Sequence, residues 1–392
     1  MRLHAIAVAS VVGLALTAAA VGPVFYGDAP DDHHPWAVHD RNRPQPPVVT
    51  PGTCSTPEQP GQPPSDAIVL FDGKDLSQWE ADTPNPEPAK WVVRDGAMEC
   101  VPGSGFIRTK RALGDMQLHI EWAAPAKVEG NDQGRGNSGV FLMGIMEIQV
   151  LDNYNNPTYA DGTAGAVYDV MPPMANALRP PGQFQSYDIV FRRPIYQDGK
   201  VIDPGYVTVF ENGVLVQDHT QIEGGTSHMV RSRPGPFPDA APLKLQDHGN
   251  PVRYRNIWCR PLPPRAVEGG TDGYLTTAAT MAKRREIAAS IRQHAAQLPA
   301  TTDPLPALHL WLESLEYEQN PAALQQAEQG AEQYIASLKA LSPERLAAKK
   351  DEVRRLRDVF NFLVRFHALS ESFAPKKEID QIIASQRWDA KS

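Results

Sequence analysis

Between about residues 66 and 263 the chain alternates apolar and polar positions in short runs, among them "AIVLF", "WVVRDG", "MQLHIEWAA", "SGVFLMG", "MEIQVLD", "SYDIVFRR" and "VRYRNIWCRPL". Side chains of a strand point to opposite faces in turn, so this alternation predicts half-buried strands, and the Gly, Pro, Asn and Asp between the runs predict turns. The "ENG" between "YVTVF" and "VLVQDH" predicts a tight hairpin, because Asn-Gly tolerates positive φ at both central positions. Many short strands with no interleaved helix predict a mainly β domain, a sandwich or jelly roll of two antiparallel sheets.

From about residue 271 to 392 the period changes. "TAATMAKRREIAASIRQHAAQL", "LPALHLWLESLEYE", "PAALQQAEQGAEQYIASLKAL" and "SPERLAAKKDEVRRLRDVFNFLVRFHALSES" are rich in Ala, Leu, Glu, Lys and Arg, with apolar residues three and four apart. Asn320 and Ser342 precede Pro321 and Pro343 as N-caps precede a first helical turn. The pattern predicts an appended C-terminal α-helical bundle of four helices. No chemical constellation is visible there, so it reads as a packing element or a route to a homo-oligomer.

Residues 21–65 are Pro-rich and polar, which predicts a disordered linker or a wrapping arm. Ahead of them, Arg2, an apolar run and Ala18-Ala19-Ala20 read as a signal peptide over residues 1–20. Export follows, to the periplasm or beyond, with no membrane span after cleavage. An uncleaved anchor is the alternative, since the run approaches the roughly 20 residues of a spanning helix.

A chain of 392 residues has room for about two or three domains. Its net charge of -8 argues against general binding to nucleic acid or anionic membrane. Cys100 and Cys259 sit near the ends of strands of one domain, so a disulfide and two buried free thiols are both open, with Cys54 left over.

Candidate chemistry comes from parity. Glu147 and Gln149 alternate with Ile148 and Val150, so the two polar groups share one face of their strand. His119 with Glu121, Lys244 with Gln246 and His248, and Arg253 with Arg255 pair in the same way. A merely solvated face favours Lys, Glu, Thr and Ser. Here His, Gln, Arg and Glu recur, groups suited to sugar hydroxyls, and a curved sheet bearing them would form a polar cleft.

These residues add up to a resemblance. "LFDGKDLSQWE", "NSGVFL" followed by "MEIQVLDN", then "AVYD", "VFENGVLVQDH" and "LKLQDHGNPVRYRNIWCRPL" occur in that order. Over about residues 66–262 the chain resembles the exported bacterial 3-keto-disaccharide hydrolase family, which includes 3-keto-glucoside 1,2-lyases and 3-keto-2-hydroxy-glucal hydratases. The resemblance implies a concanavalin-like sandwich and an enzyme acting on 3-keto-glycosides made by a separate glycoside 3-oxidoreductase. One departure stands out: where the family often has Trp-Asn, this chain has Ser186-Tyr187 after Gln185.

The implied chemistry needs a base for the C2 proton, an acid for the departing C1 oxygen and an electropositive group at the enolate oxygen. Glu147 is the candidate base or metal ligand, His248 the candidate acid or base, and Tyr168 a donor to carbonyl or hydroxyl. Glu121, Asn137, Gln149, Lys244, Gln246, Arg253 and Arg255 are the candidate substrate-binding groups. The bland alternatives are a polar sheet residue for Glu147, a loop histidine for His248 and a core wall for Tyr168. A divalent metal would suit the enolate oxygen, but the chain has no HExxH, close Cys/His set or Asp-rich calcium loop, so metal stays unassigned. Asp152 serves equally an ion site or a turn, and His33-His34 reads as incidental.

Two rivals remain. A retaining glycosidase on such a sandwich places carboxyls at alternate positions of one strand, whereas Gln149 and Leu151 follow Glu147 here. A non-catalytic carbohydrate-binding module is allowed by the fold. A serine nucleophile is excluded for want of a Gly-x-Ser-x-Gly elbow, and dinucleotide binding because "GRGNSG" opens no helix.

Overall fold

The computed structural model describes residues 25–271, 273–299 and 303–389; the expected signal peptide lies outside them. The chain divides into two compact units. One is Pro47–Pro264; the other joins, among the described residues, the segment ending at Pro46 to the one beginning at Arg265. The division differs from the expected start of the sandwich at residue 66, because residues 47–65 place their hydrogen bonds on the sheets. Ser55 Oγ donates to Glu121 at 2.6 Å, and the carbonyls of Thr56 and Glu58 accept from Arg255 at 2.9 and 3.1 Å. This half of the Pro-rich segment is an ordered wrapping arm.

Strands of the sandwich unit are β1 (Ile68–Phe71), β2 (Trp79–Ala81), β3 (Val92–Arg94), β4 (Ala97–Glu99), β5 (Ile107–Leu113), β6 (Met116–Ala123), β7 (Ser138–Leu142) and β8 (Met146–Val150). They continue with β9 (Gln185–Arg192), β10 (Ile195–Gln197), β11 (Lys200–Asp203), β12 (Gly205–Glu211), β13 (Val214–Ile222), β14 (Ala241–Leu245) and β15 (Arg253–Pro261). An eight-stranded sheet runs β13-β12-β9-β6-β15-β4-β3 with β1 also on β15, and a five-stranded sheet runs β2-β5-β14-β7-β8. Strands β10 and β11 form a separate ribbon that the alternation did not predict. The expected hairpin is β12–β13, where Asn212 and Gly213 have φ of 52° and 80°.

Alternation works as read. Leu118, Ile120 and Trp122 of β6, Ile189 and Phe191 of β9, Val140 and Leu142 of β7, and Ile148 and Val150 of β8 are all buried in one core. Burying each such side chain contributes about 1.5–3 kcal/mol. Two tyrosines of the eight-stranded sheet reach through this core. Tyr254 donates to Ser138 Oγ at 2.7 Å, which donates to the Gln246 carbonyl at 2.6 Å, and Tyr187 donates to the Gln149 carbonyl at 2.7 Å. Ser138 and Gln149 lie on β7 and β8, so these bonds pin the two strands that carry Glu147 and its neighbours.

Cys100 and Cys259 are both buried free thiols, which corrects the disulfide reading. Cys100 bonds to the Val252 carbonyl just before β15 begins, whereas Cys259 sits near that strand's far end. At roughly 3.4 Å per residue they are separated by about 20 Å, beyond any S–S bond. Burial pushes the Cys259 thiol up to about 11.

Helices of the other unit are α1 (Thr277–Gln297), α2 (Leu305–Tyr317), α3 (Pro321–Lys339), α4 (Pro343–Ala347), α5 (Lys350–Arg365) and α6 (Ala374–Ser385). Asn320 and Ser342 cap α3 and α4 as expected. The expected fourth helix is instead split at Lys349 and stopped at His367, whose φ of 60° ends the ladder, and α6 follows. Residues 40–42 bind this unit: Tyr317 donates to Asp40 at 2.6 Å, and Arg41 pairs with Glu313. No helix among the described residues is long and apolar enough to cross a membrane.

The through-core tyrosines predict that Tyr254→Phe and Tyr187→Phe each destabilise the protein by about 1 kcal/mol, the net worth of one internal hydrogen bond. Urea unfolding should show a lower midpoint at unchanged slope. An unchanged midpoint for both variants would mean these bonds do not hold the sheets in solution.

Candidate active site

The outer face of the five-stranded sheet carries a cavity of about 450 Å³ lined by Gln133, Asn137, Phe141, Glu147, Gln149, Tyr159, Tyr168, Thr226, Ser227, His228, Gln246 and His248. Its floor is β7 and β8, where Phe141 faces Glu147 and Gly139 faces Gln149 in register. Gly139 makes room for the Glu147 carboxyl: a Cβ at 139 would lie 2.1 Å from Glu147 Oε1. Strand β8 is the edge of the sheet, and its free side is closed by loops. Glu147 N–H donates to Thr226 Oγ1 at 2.9 Å, and the Glu147 carbonyl accepts from Tyr168 N–H at 3.2 Å.

Glu147 is 5 % exposed, and its carboxyl accepts no hydrogen bond among the described residues. Burial, with the nearby charge of Asp169 adding to it, pushes its pKa up from 4.5 to about 8. That is a carboxyl poised to take or give a proton near neutrality.

An amide network shapes the wall beside it. Gln149 Nε2 donates to Gln133 Oε1 at 3.1 Å and to the Gly162 carbonyl at 3.2 Å, while Gln133 Nε2 donates to Thr158 Oγ1 at 2.8 Å. Asn137 Nδ2 donates to the Gln133 carbonyl at 2.7 Å. This leaves Gln149 Oε1 and Gln246 Oε1 buried without a partner among the described residues. Both residues line the cavity, while the two oxygens themselves are closed off from water.

The opposite wall is a chain of hydroxyl and imidazole groups. Tyr159 and Tyr168 share a hydrogen bond of 2.9 Å between their hydroxyls, and Tyr168 OH lies 2.8 Å from His228 Nδ1. Burial, then the bond to Tyr159, raises the Tyr168 pKa above the ordinary phenol value, so it stands as a neutral donor. His248 sits exposed at the rim, on a loop held by Asp247, which accepts from the Gly249 and Gly105 N–H groups at 2.9 Å each.

The structure thus brings together Glu147, His248, Tyr168, Asn137, Gln149 and Gln246 of the expected residues. Glu121, Arg253, Arg255 and Lys244 are corrected. Strands β6 and β15 belong to the eight-stranded sheet, so Glu121 and Arg255 face outward on the other side of the sandwich. There Arg255 Nε pairs with Glu121 Oε2 at 2.7 Å and binds the arm. Arg253 lies 3.8 Å from Glu99 and 5.7 Å from the Phe184 ring centre. Lys244 is on the right sheet but turns to Asp82 at 2.8 Å. Asp152 binds Arg135 at 2.7 Å. Gln133, Tyr159, Thr226 and His228 escaped the sequence reading, because they lie in loops where no periodicity assigns a face.

A divalent metal was open from sequence. Among the described residues there is no group of three or more His, Cys, Asp or Glu that could hold an ion.

Residues 66–260 match the family model described as a 3-keto-alpha-glucoside-1,2-lyase-like domain. A crystal structure of a candidate glycosyl hydrolase from Parabacteroides distasonis is 45% identical, covers 56% of this chain and 93% of its own, and superposes with a TM-score of 0.52. A second candidate glycosyl hydrolase structure from that organism is 20% identical over 50% of this chain and 94% of its own, with a TM-score of 0.37. No curated protein matches the chain.

The raised Glu147 pKa has a stability signature. The folded chain keeps this proton up to about pH 8, whereas an ordinary carboxyl releases it near 4.5. The folded state therefore binds more protons across that window, and stability falls as pH rises through it. Glu147→Gln should be more stable than the parent above about pH 8, by on the order of a few kcal/mol, and should lose that advantage below about pH 5. Glu211 and Glu316, raised to about 7 and about 8, act alike in both proteins and cancel. Urea titrations at several pH values check this; a pH-independent difference would remove the case for an unpaired buried carboxyl.

Proposed function

The chain belongs, through residues 66–260, to the 3-keto-alpha-glucoside-1,2-lyase-like family, and on that premise we propose that it is a glycoside-active enzyme that cleaves 3-keto-glycosides by elimination. The observation that carries the reading is the unpartnered Glu147 carboxyl, raised to about 8, in one cavity with Gln149, Gln246, Tyr168 and His248. A base of that pKa suits a carbon acid at neutral pH.

The ketone at C3 acidifies the C2 proton. Glu147 takes it, and the C–H electrons become the enolate C2=C3–O⁻. His248, at the rim, is assigned to donate a hydrogen bond to that oxygen. Collapse of the enolate restores the ketone, forms C1=C2 and breaks the C1–O bond, while Tyr168 protonates the departing oxygen. The product is a 3-keto-2-hydroxy-glucal. Adding water by the reverse route completes net hydrolysis. Gln149 and Gln246 form cavity wall beside the sugar ring, and Asn137 supports them through Gln133.

A carboxylate-pair glycosidase is disfavoured, because the strand position two after Glu147 is an amide whose nitrogen is already committed. The substrate implies a separate oxidoreductase that makes the 3-keto sugar. Export through the N-terminal apolar run fits that scheme and belongs to the same proposal.

The protein should release aglycone from a 3-keto-glucoside and leave the unoxidised glucoside intact. Glu147→Gln should lower kcat about 10²–10⁴-fold, the usual worth of a general base. On a 4-nitrophenyl substrate, whose aglycone departs without a proton, the parent rate should rise with pH toward about 8 as Glu147 ionises. Equal turnover of the unoxidised glucoside would refute the elimination; retention of sugar without turnover would favour the binding module.

A further inference from the structure

His228 is absorbed by neither the base nor the sugar-binding set. It comes from the loop after β13, is exposed, and still places Nδ1 2.8 Å from the Tyr168 hydroxyl, which lies 2.9 Å from the Tyr159 hydroxyl. The Tyr168 and His228 rings are 25° from parallel with centroids 6.3 Å apart. The loop is anchored beside that contact, since Met229 N–H donates to Asp169 Oδ2 at 2.5 Å and Thr226 Oγ1 accepts from Glu147 N–H. One side of the imidazole therefore meets solvent and the other a hydroxyl that lines the cavity.

The proposed elimination needs a proton on the departing oxygen, and Tyr168 alone is poorly suited to supply it. Losing its proton would leave a tyrosinate in a site whose burial already disfavours that anion. An alkyl aglycone, whose conjugate acid is weaker still, makes the demand greater. A second proton arriving on the phenol oxygen as the first leaves removes the difficulty.

Resting on the elimination proposed above, we infer that His228 is the terminal proton donor of the leaving-group side, acting through Tyr168 as a two-step relay. In its imidazolium form His228 donates Nδ1–H to the Tyr168 oxygen, which frees the Tyr168 proton to point at the substrate. As the C1–O bond breaks, the aglycone oxygen takes the Tyr168 proton and the Tyr168 oxygen takes the Nδ1 proton. Glu147 has gained the C2 proton, His228 ends neutral, and its exposed face regains a proton from water. Tyr159 holds the Tyr168 hydroxyl from its other side and is a positioning residue. In hydration the same relay runs backwards, with Tyr168 receiving the proton of the attacking water. The charged groups facing this pair are Asp169, from the segment after β8, and Glu147 on the cavity floor.

The test compares two 3-keto-glucosides, one with an alkyl aglycone and one with 4-nitrophenol, which departs without needing a proton. His228→Phe should lower kcat on the alkyl substrate about 100-fold and on the nitrophenyl substrate by much less, about 10-fold or below, with KM little changed. Tyr168→Phe should show the same selectivity, and the double variant should lose little beyond either single one. Glu147→Gln should fail on both substrates, because proton abstraction precedes departure in each. Equal losses on the two substrates, or none on either, would overturn the relay while leaving the elimination standing. Parental inactivity on both 3-keto substrates would overturn the elimination, and the relay with it. A readout apart from turnover is the imidazole resonance of His228: its Nδ1 signal should shift in Tyr168→Phe if the hydrogen bond exists in solution, and an unmoved signal counts against the relay.

Discussion

The site is organised around one carboxyl that the protein buries and does not pair. An ionised carboxylate away from water and without partners is so costly that the group keeps its proton instead, and Glu147 does so up to about pH 8. That condition survives only if nothing nearby can relieve it. Gly139 offers no side chain, Phe141 is apolar, and Gln149, two residues along, has its donors turned to Gln133 and Gly162. The core below supplies the compensating stability, because Met146, Ile148 and Val150 of the same strand are completely buried. One strand thus anchors the domain through one face and withholds stabilisation on the other.

Edge strands expose unpaired backbone groups, and proteins close such edges or guard them. Here the closure also builds the second wall. The segment that bonds to the free side of β8 brings Tyr168 through its N–H to the Glu147 carbonyl, and the loop that bonds to Glu147 N–H brings His228. Base and donor walls therefore meet at the backbone of Glu147, with further bonds to the same segments at Gln149 and Ile145, and a shift of β8 would move both together.

Much of this was legible in the sequence. Most strands, the helical appendage and the polar face of β8 follow from periods of two and 3.6, and the hairpin from the turn chemistry of Asn212-Gly213. Parity, however, says only that side chains share a face of their own sheet; it does not say which sheet. Glu121 and Arg255 have the same signature as Glu147 and Gln149, yet pairing order sets β6 and β15 in the other sheet. Loop residues carry no period, so Gln133, Tyr159 and His228 gave no signal. The missed α6 lies beyond the last apolar stretch read, which ends at Ser372, and that stretch is itself cut where His367 turns the backbone left-handed.

Two of the buried glutamates, Glu121 and Glu147, stand in contrasting surroundings. Burial does not separate them, since Glu121 is 1 % exposed and Glu147 5 %. Residue type and strand position do not. What differs is satisfaction. Burial would raise Glu121 too, but hydrogen bonds from His119, Ser55, Asn256 and Arg255 outweigh it and hold the carboxyl below its ordinary range. Those bonds fasten the arm to the sheet, and every donor that reaches Glu121 comes from the protein itself. Around Glu147 the donors are missing, and Gln149 and Gln246 line the same cavity. A domain that satisfies one carboxyl so fully has the means to satisfy the other. Glu316 of the helical unit is likewise buried and raised to about 8, so a bare carboxyl alone does not mark a site; Glu147 differs in lining a cavity.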